Sequence, residues 1–177
     1  MSGLTSTAIP STLICWKCLP EGHREEDRVE TERRYAPDVA KAYEGKGIRV
    51  IWEPKLCIHV ANCIRHLPGV FDPQARPWVA ATGATAGDIA EAVESCPTGA
   101  LRYERTDGGP EEIPTSPTTV QPRRNGPLFV RGDLQMTDTQ QNVTRAATRM
   151  ALCRCGQSSN KPFCDATHRA IGFQADA

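Results

Sequence analysis

Cys153, Cys155, Cys164 and His168 fall in one short stretch at C-x-C-x8-C-x3-H spacing. Thiols gathered so closely either crosslink or hold a metal. Crosslinking leaves an odd cysteine and gives His168 no role, whereas a metal site uses all four donors. Thiolate and imidazole are the ligands that suit iron–sulfur clusters and zinc. In an extended C-x-C segment Cys153 and Cys155 point to the same side, so both sulfurs can approach one iron. Cys164 and His168, four apart, share one face of a helical turn and would hold a second. Asp165 follows Cys164, where a carboxylate favours a helix start and accepts backbone N–H bonds. Gly156, Ser158, Ser159, Asn160 and Pro162 supply the turn chemistry of a tight loop. The competing reading is a structural zinc knot of Cys3His type, against which zinc sites usually pair their cysteines as C-x2-C.

A second constellation is Cys57, His59 and Cys63 with the remote Cys96-Pro97. Bacterial ferredoxins use closely spaced cysteines plus a remote cysteine followed by proline. Against a C-x2-C-x2-C template the middle position here is Val60. Three thiolates remain, enough for a 3Fe–4S cluster or for a 4Fe–4S cluster with an outside ligand. His59 is the nearest candidate for that fourth position; its other readings are a hydrogen-bond donor to sulfide and a surface histidine. His66 reads as solvated. Cys15-Trp16-Lys17-Cys18 forms a C-x2-C pair without a second half-site, and reads as two incidental thiols in a solvated tail.

Both constellations carry a family resemblance. Cys153, Cys155, Ser158, Pro162, Cys164, Asp165 and His168 fall on the pattern C-x-C-x2-S-x3-P-x-C-D-x-x-H, which resembles the CDGSH (mitoNEET-like) iron–sulfur family. Asn125-Gly126-Pro127-Leu128 upstream and Ile171-Gly172-Phe173 downstream also resemble its members. Ala166 departs from the family, which has glycine there. The resemblance implies a 2Fe–2S cluster held by three thiolates and one imidazole. Cys57, His59, Asn62, Cys63, Pro68, Phe71, Arg76, Pro77, Trp78 and the block from Cys96 to Leu101 resemble the divergent single-cluster ferredoxin-like domains. That likeness spans residues 35–103 and implies a 3Fe–4S or 4Fe–4S cluster on a small α+β unit.

The elements that must position these residues read as α+β: a small ferredoxin-like α+β domain followed by a small β-rich CDGSH domain, both cluster-stabilised. The organisation expected is a flexible tail over 1–34, a ferredoxin-like domain over 35–105, a linker over 106–122 and a CDGSH domain over 123–177. Residues 48–52 are a β-rich run ended by Pro54. Short strands around a turn are expected through 57–79. Ile89, Ala90 and Val93 predict an amphipathic helix over 86–95, opened by Thr85 or Asp88. Residues 101–103 form a closing strand. The segment 106–122, rich in Gly and Pro, reads as a spacer with little to bury. Residues 128–130 and 134–136 read as two strands joined by a turn at Arg131-Gly132-Asp133, and 149–152 as a third leading into Cys153.

The chain has 177 residues, with 21 basic side chains balanced by 21 acidic ones. No net positive charge is present to reward nucleic acid or an anionic membrane as main partner. No apolar run approaches the roughly 20 residues that span a bilayer, and no secretory signal is read at the start. Thiols in metal spacing fit a reducing, cytoplasmic compartment. No nucleophile with a partnered base, phosphate-cradling loop or paired carboxylates is recognisable. The expectation is therefore a protein that is not an enzyme but a one-electron carrier serving a redox partner protein. The alternative is a pH- or redox-sensitive cluster carrier or sensor that delivers its cluster to an apo iron–sulfur acceptor, and a zinc-stabilised interaction module is the third reading. The CDGSH resemblance also implies a homodimer by strand exchange.

Overall fold

The structure, a computed structural model, describes residues 40–177, so the Cys15–Cys18 pair lies outside the described residues. Two three-stranded antiparallel sheets, each with its own small complement of helix, make the fold α+β. The first sheet runs β1 (Lys41–Gly45), β2 (Ile48–Trp52) and β3 (Leu101–Arg105), in that order. β2 takes the centre because it alternates: Ile48 and Val50 are wholly buried, while Arg49 between them points outward to Glu44 and Glu104. The β1–β2 hairpin turns at Lys46-Gly47, where Gly47 takes the left-handed φ of +79° that glycine accepts without steric penalty.

Between β2 and β3 the chain makes a 3-10 turn (Pro54–Leu56), the short helix α1 (Asn62–His66), a single bridge joining Phe71 to Val79, and the helix α2 (Ala86–Glu94). The strands expected through 57–79 thus reduce to that one bridge. Helix α2 follows its pattern closely. Thr85 accepts the Asp88 amide at 3.2 Å and donates its hydroxyl to the Asp88 carboxylate at 2.7 Å, a reciprocal N-terminal cap. Its buried face of Ile89, Ala90, Ala92 and Val93 packs with Ile48, Val50, Phe71 and Leu101 into the main core.

The second sheet runs β4 (Thr119–Pro122), β5 (Leu128–Thr137) and β6 (Val143–Leu152), and the short helix α3 (Thr167–Ala170) follows. Two expectations are corrected here. Residues 128–130 and 134–136 belong to one strand, because Arg131-Gly132-Asp133 is a β-bulge rather than a turn. The register slips between Arg131 and Leu134, and Gly132 has φ +147°, with Thr118 where a Cβ would stand. The segment 106–122 is not an inert spacer either. Its last residues form β4, and its Glu112 is drawn against Arg149.

Arg149 is what locks the two halves together. Its side chain points from β6 into the first half and is 1% exposed. Nη1 donates to the carbonyls of Val93 (2.7 Å) and Cys96 (2.5 Å), Nη2 donates to Leu101 O (3.1 Å) and Glu112, and Nε donates to Glu112. All three nitrogens of a group that cannot shed its charge are therefore satisfied. Glu53, also buried, accepts two bonds from Arg145 of β6 and one from Arg102 of β3. The close approach of β6 depends on Gly99, since a Cβ there would lie 2.5 Å from Arg149 O.

Candidate metal centres

The first centre gathers residues from well-separated parts of the chain. Cys57 leaves the 3-10 turn, Cys63 sits in α1, and Cys96 follows α2; all three line one cavity with Trp52, His59 and Trp78. The loop between the first two cysteines is tightly curled, with His59 at φ +54° and Ala61 at φ +64°. Each such left-handed non-glycine residue is disfavoured by about 1–2 kcal/mol, so the surroundings hold the loop in place. Asn62 does part of this, donating to Ser95 O at 2.8 Å and thereby fixing α1 to the end of α2, next to Cys96. Thr98 helps turn the Cys96 loop, its hydroxyl accepting the Ala100 amide at 3.2 Å.

The three cysteines face one cavity. Burial, and then the neighbouring Cys96 sulfur, push the Cys63 thiol up to about 11. Burial likewise raises the Cys57 thiol, opposed by the His59 amide and raised further by Cys96. Thiols held protonated in this way bind a metal by releasing their protons to it. Exposed His59 brings Nδ1 to 3.9 Å from Cys57 Sγ, whereas Val60, in place of the template cysteine, joins the apolar contacts described below. A further sign that the cavity suits a group rich in acceptors is Trp52, whose buried Nε1 has no hydrogen-bond partner. A single water-free apolar wall would have no use for that donor.

The second centre is local. Strand β6 delivers Cys153, and the chain folds straight back: Cys153 N donates to Pro162 O (2.9 Å), Cys164 N to Ala151 O (2.8 Å), and Leu152 bridges Phe163. Cys153 and Cys155 then place their sulfurs 3.7 Å apart. Two thiolates bound to one tetrahedral metal at about 2.3 Å would lie about 3.8 Å apart. Across the loop, Cys164 Sγ is 3.3 Å from Nδ1 of buried His168, which α3 presents. The four donors thus form two close pairs. Among the described residues no three His, Cys, Asp or Glu side chains close around one point as a single ion requires.

Asp165 staples this loop. Its carboxylate accepts the Ser159 amide and hydroxyl, each at 2.8 Å, and the Thr167 amide at 3.0 Å, as the position after Cys164 predicts. Bonds from Thr167 first, with Ser159 adding, hold its carboxyl far below the usual range against a modest opposing effect of burial. Burial works against the Cys153 thiolate, but amides of Ser158, Gly156 and Cys155 with the Cys155 thiol outweigh it and bring that thiol below its ordinary value. Burial, then the Arg169 charge, lowers the imidazole of His168, with Asp165 opposing. A neutral imidazole is the form that binds metal. Ala166, where the CDGSH pattern has glycine, sits at φ +73° and caps α3.

The two centres touch. Ile58, next to Cys57, is buried in one apolar cluster with Ala151 and Cys164, and Val60, Phe129 and Ala166 pack against it. Val60, which stands where the bacterial ferredoxin template has cysteine, and Ala166, where the CDGSH family has glycine, both pack against this wall. Sequence reasoning missed the wall and the Arg149 clasp, because neither has a spacing signature; an arginine in the otherwise apolar run before Cys153 was the one available hint.

The comparisons agree with this division. Residues 43–106 match the family model described as a divergent 4Fe-4S mono-cluster, and residues 125–169 match the iron-binding zinc finger of CDGSH type. The uncharacterized protein YjdI of Escherichia coli K12 is 29% identical over 63 residues, covering 36% of this chain and 83% of that protein. Its counterpart in Escherichia coli O157:H7 gives the same figures. The chain thus carries a segment that matches the divergent 4Fe-4S mono-cluster model, followed by one that matches the iron-binding CDGSH model.

Proposed function

We propose that this protein is a one-electron carrier with two iron–sulfur centres. Cys153, Cys155, Cys164 and His168 would hold a 2Fe–2S cluster. Cys57, Cys63 and Cys96 would hold a 3Fe–4S cluster, or a 4Fe–4S cluster with His59 as the fourth ligand. Such clusters supply reversible one-electron chemistry, and a neutral imidazole among the ligands leaves less negative charge on the centre and raises its potential. The observation that carries the reading is the shared wall: Ile58 and Cys164, one beside a ligand of the first centre and the other a ligand of the second, pack in the same cluster. Two centres built back to back suit electron relay better than independent storage. The natural partner is a redox protein in a reducing, cytoplasm-like compartment, consistent with six free cysteines among the described residues. No helix among those residues is long and apolar enough to cross a membrane.

Anaerobic purification with iron and sulfide quantitation, followed by EPR of oxidised and reduced protein, tests this. About five or six irons per chain and reversible reduction of both centres are expected from the two cluster types. A signal from oxidised protein assigns 3Fe–4S to the first centre; its absence, with two signals on reduction, assigns 4Fe–4S. Zinc without acid-labile sulfide would overturn the reading. Rapid, complete transfer of the cluster to an apo-ferredoxin, with poor reversible reduction, would replace electron carriage by cluster delivery.

A further inference from the structure

Trp52 ends β2 and lines the cavity of the first centre. Its ring meets Trp78 edge-on at 4.9 Å between centroids, and Trp78 in turn packs against Phe71 at 5.8 Å. This aromatic stack forms a wall of the cavity that Cys57, Cys63 and Cys96 share. A phenylalanine would fill the same wall. Trp52 instead carries a buried Nε1–H with no hydrogen-bond partner in the protein, a defect that ordinarily destabilises a fold.

We infer that the Trp52 indole N–H is a hydrogen-bond donor to the sulfur of the first centre, at the Cys57 thiolate or a sulfide beside it, and that it sets the reduction potential of that centre. The acceptor is assigned to sulfur because Trp52 lines the same cavity as Cys57, Cys63 and Cys96 and its buried Nε1 has no partner in the protein. A donor aimed at cluster sulfur favours the more negative, reduced state and so raises the potential. Trp78 is the internal control. Its Nε1 is also buried without a full partner, but the group it faces is the Tyr43 hydroxyl.

This inference rests on the first centre holding an iron–sulfur cluster, and iron and sulfide analysis of each variant keeps the two claims separable. Trp52→Phe is expected to retain its iron and to show a more negative midpoint for the first centre, with the second centre unmoved. Trp78→Phe, in the same wall, keeps an aromatic ring there and is expected to shift the first midpoint less than Trp52→Phe does, with the second centre unmoved. A direct readout needs no substitution at Trp52. In protein carrying 15N at its tryptophan indoles, pulsed EPR of the paramagnetic first centre should show a 15N coupling that persists in Trp78→Phe. An unchanged midpoint in iron-replete Trp52→Phe, or the absence of any indole 15N coupling in the wild-type protein, would overturn the assignment. A wild-type protein with iron for the second centre alone would overturn the underlying cluster reading instead.

Discussion

The two centres are assembled in opposite ways. The second is written almost entirely in one stretch, with β6, a reversing loop and one turn of helix bringing Cys153, Cys155, Cys164 and His168 together. The first is assembled by tertiary folding, since Cys96 reaches Cys57 and Cys63 only when α2 has packed on the β1–β3 sheet. Yet each borrows support from the other half of the molecule. Arg149, next to the second site in sequence, holds the carbonyls around Cys96, while Ile58, next to Cys57, is buried against Cys164. A local motif does not imply an independent domain.

The largest effect is expected from breaking the clasp. Arg149→Met takes the guanidinium away from Glu112 and from the carbonyls of Val93, Cys96 and Leu101, which should destabilise the protein by about 3–5 kcal/mol. Denaturant unfolding with iron analysis checks this, and the informative outcome is where iron is lost. The first centre should suffer more than the second, although the residue lies on the strand that feeds the second. Retention of the first centre with loss of the second would show that the clasp does not organise the Cys96 loop.

The reciprocal substitution is Ile58→Ala. Ile58 is 2% exposed and its truncation should be destabilising by about 2–4 kcal/mol, the range for emptying a buried aliphatic site. Here the expected asymmetry reverses. Exposure to an iron chelator should strip the second centre faster than in the wild type, because Cys164 loses its packing. Equal rates would mean that the shared wall is incidental contact.

Gly99→Ala probes the same interface from the backbone. Gly99 has φ +69° and a Cβ would meet Arg149 O at 2.5 Å, so both conformation and space oppose the methyl. A loss of about 1–3 kcal/mol is expected. The loss should shrink markedly in an Arg149→Met background, where β6 is free to withdraw. A thermodynamic cycle between the two substitutions measures that coupling, and simple additivity would argue against it.

These contrasts explain what could be read from the sequence. Spacing revealed the second centre because its donors are near neighbours, and the α2 face was legible because Ile89, Ala90 and Val93 follow the helical period. The bulge at Gly132 was misread because Arg-Gly-Asp has the composition of a turn, and only pairing with β6 carries the strand through it. The segment 106–122 reads as a spacer with little to bury, since Glu112 acquires its role only once Arg149 is placed beside it. Trp52 reads as the last residue of a β-rich run, and only the fold sets it in the wall of the cavity with an unpartnered N–H. What was hidden in each case was a partner distant in sequence.

The smallest effect is expected at Ala166, and it is the sharpest test of why this chain departs from its family. At φ +73° an alanine is disfavoured by about 1 kcal/mol, so replacing it with glycine should relieve strain. Two terms oppose that gain. Glycine widens the unfolded ensemble, worth about 0.4–1 kcal/mol, and removal of the methyl uncovers part of the wall around Ile58 and Cys164, worth up to about 0.8 kcal/mol. With the methyl contributing its full share, Ala166→Gly should therefore lower stability slightly, by less than about 1 kcal/mol, the difference between these terms. In an Ile58→Ala background the wall is already opened and the methyl has less to cover. There the same replacement should turn neutral or stabilising. Thermal unfolding of the four proteins decides it: a clear stabilisation by glycine in the wild-type background would show that the methyl contributes nothing to the contact between the two centres.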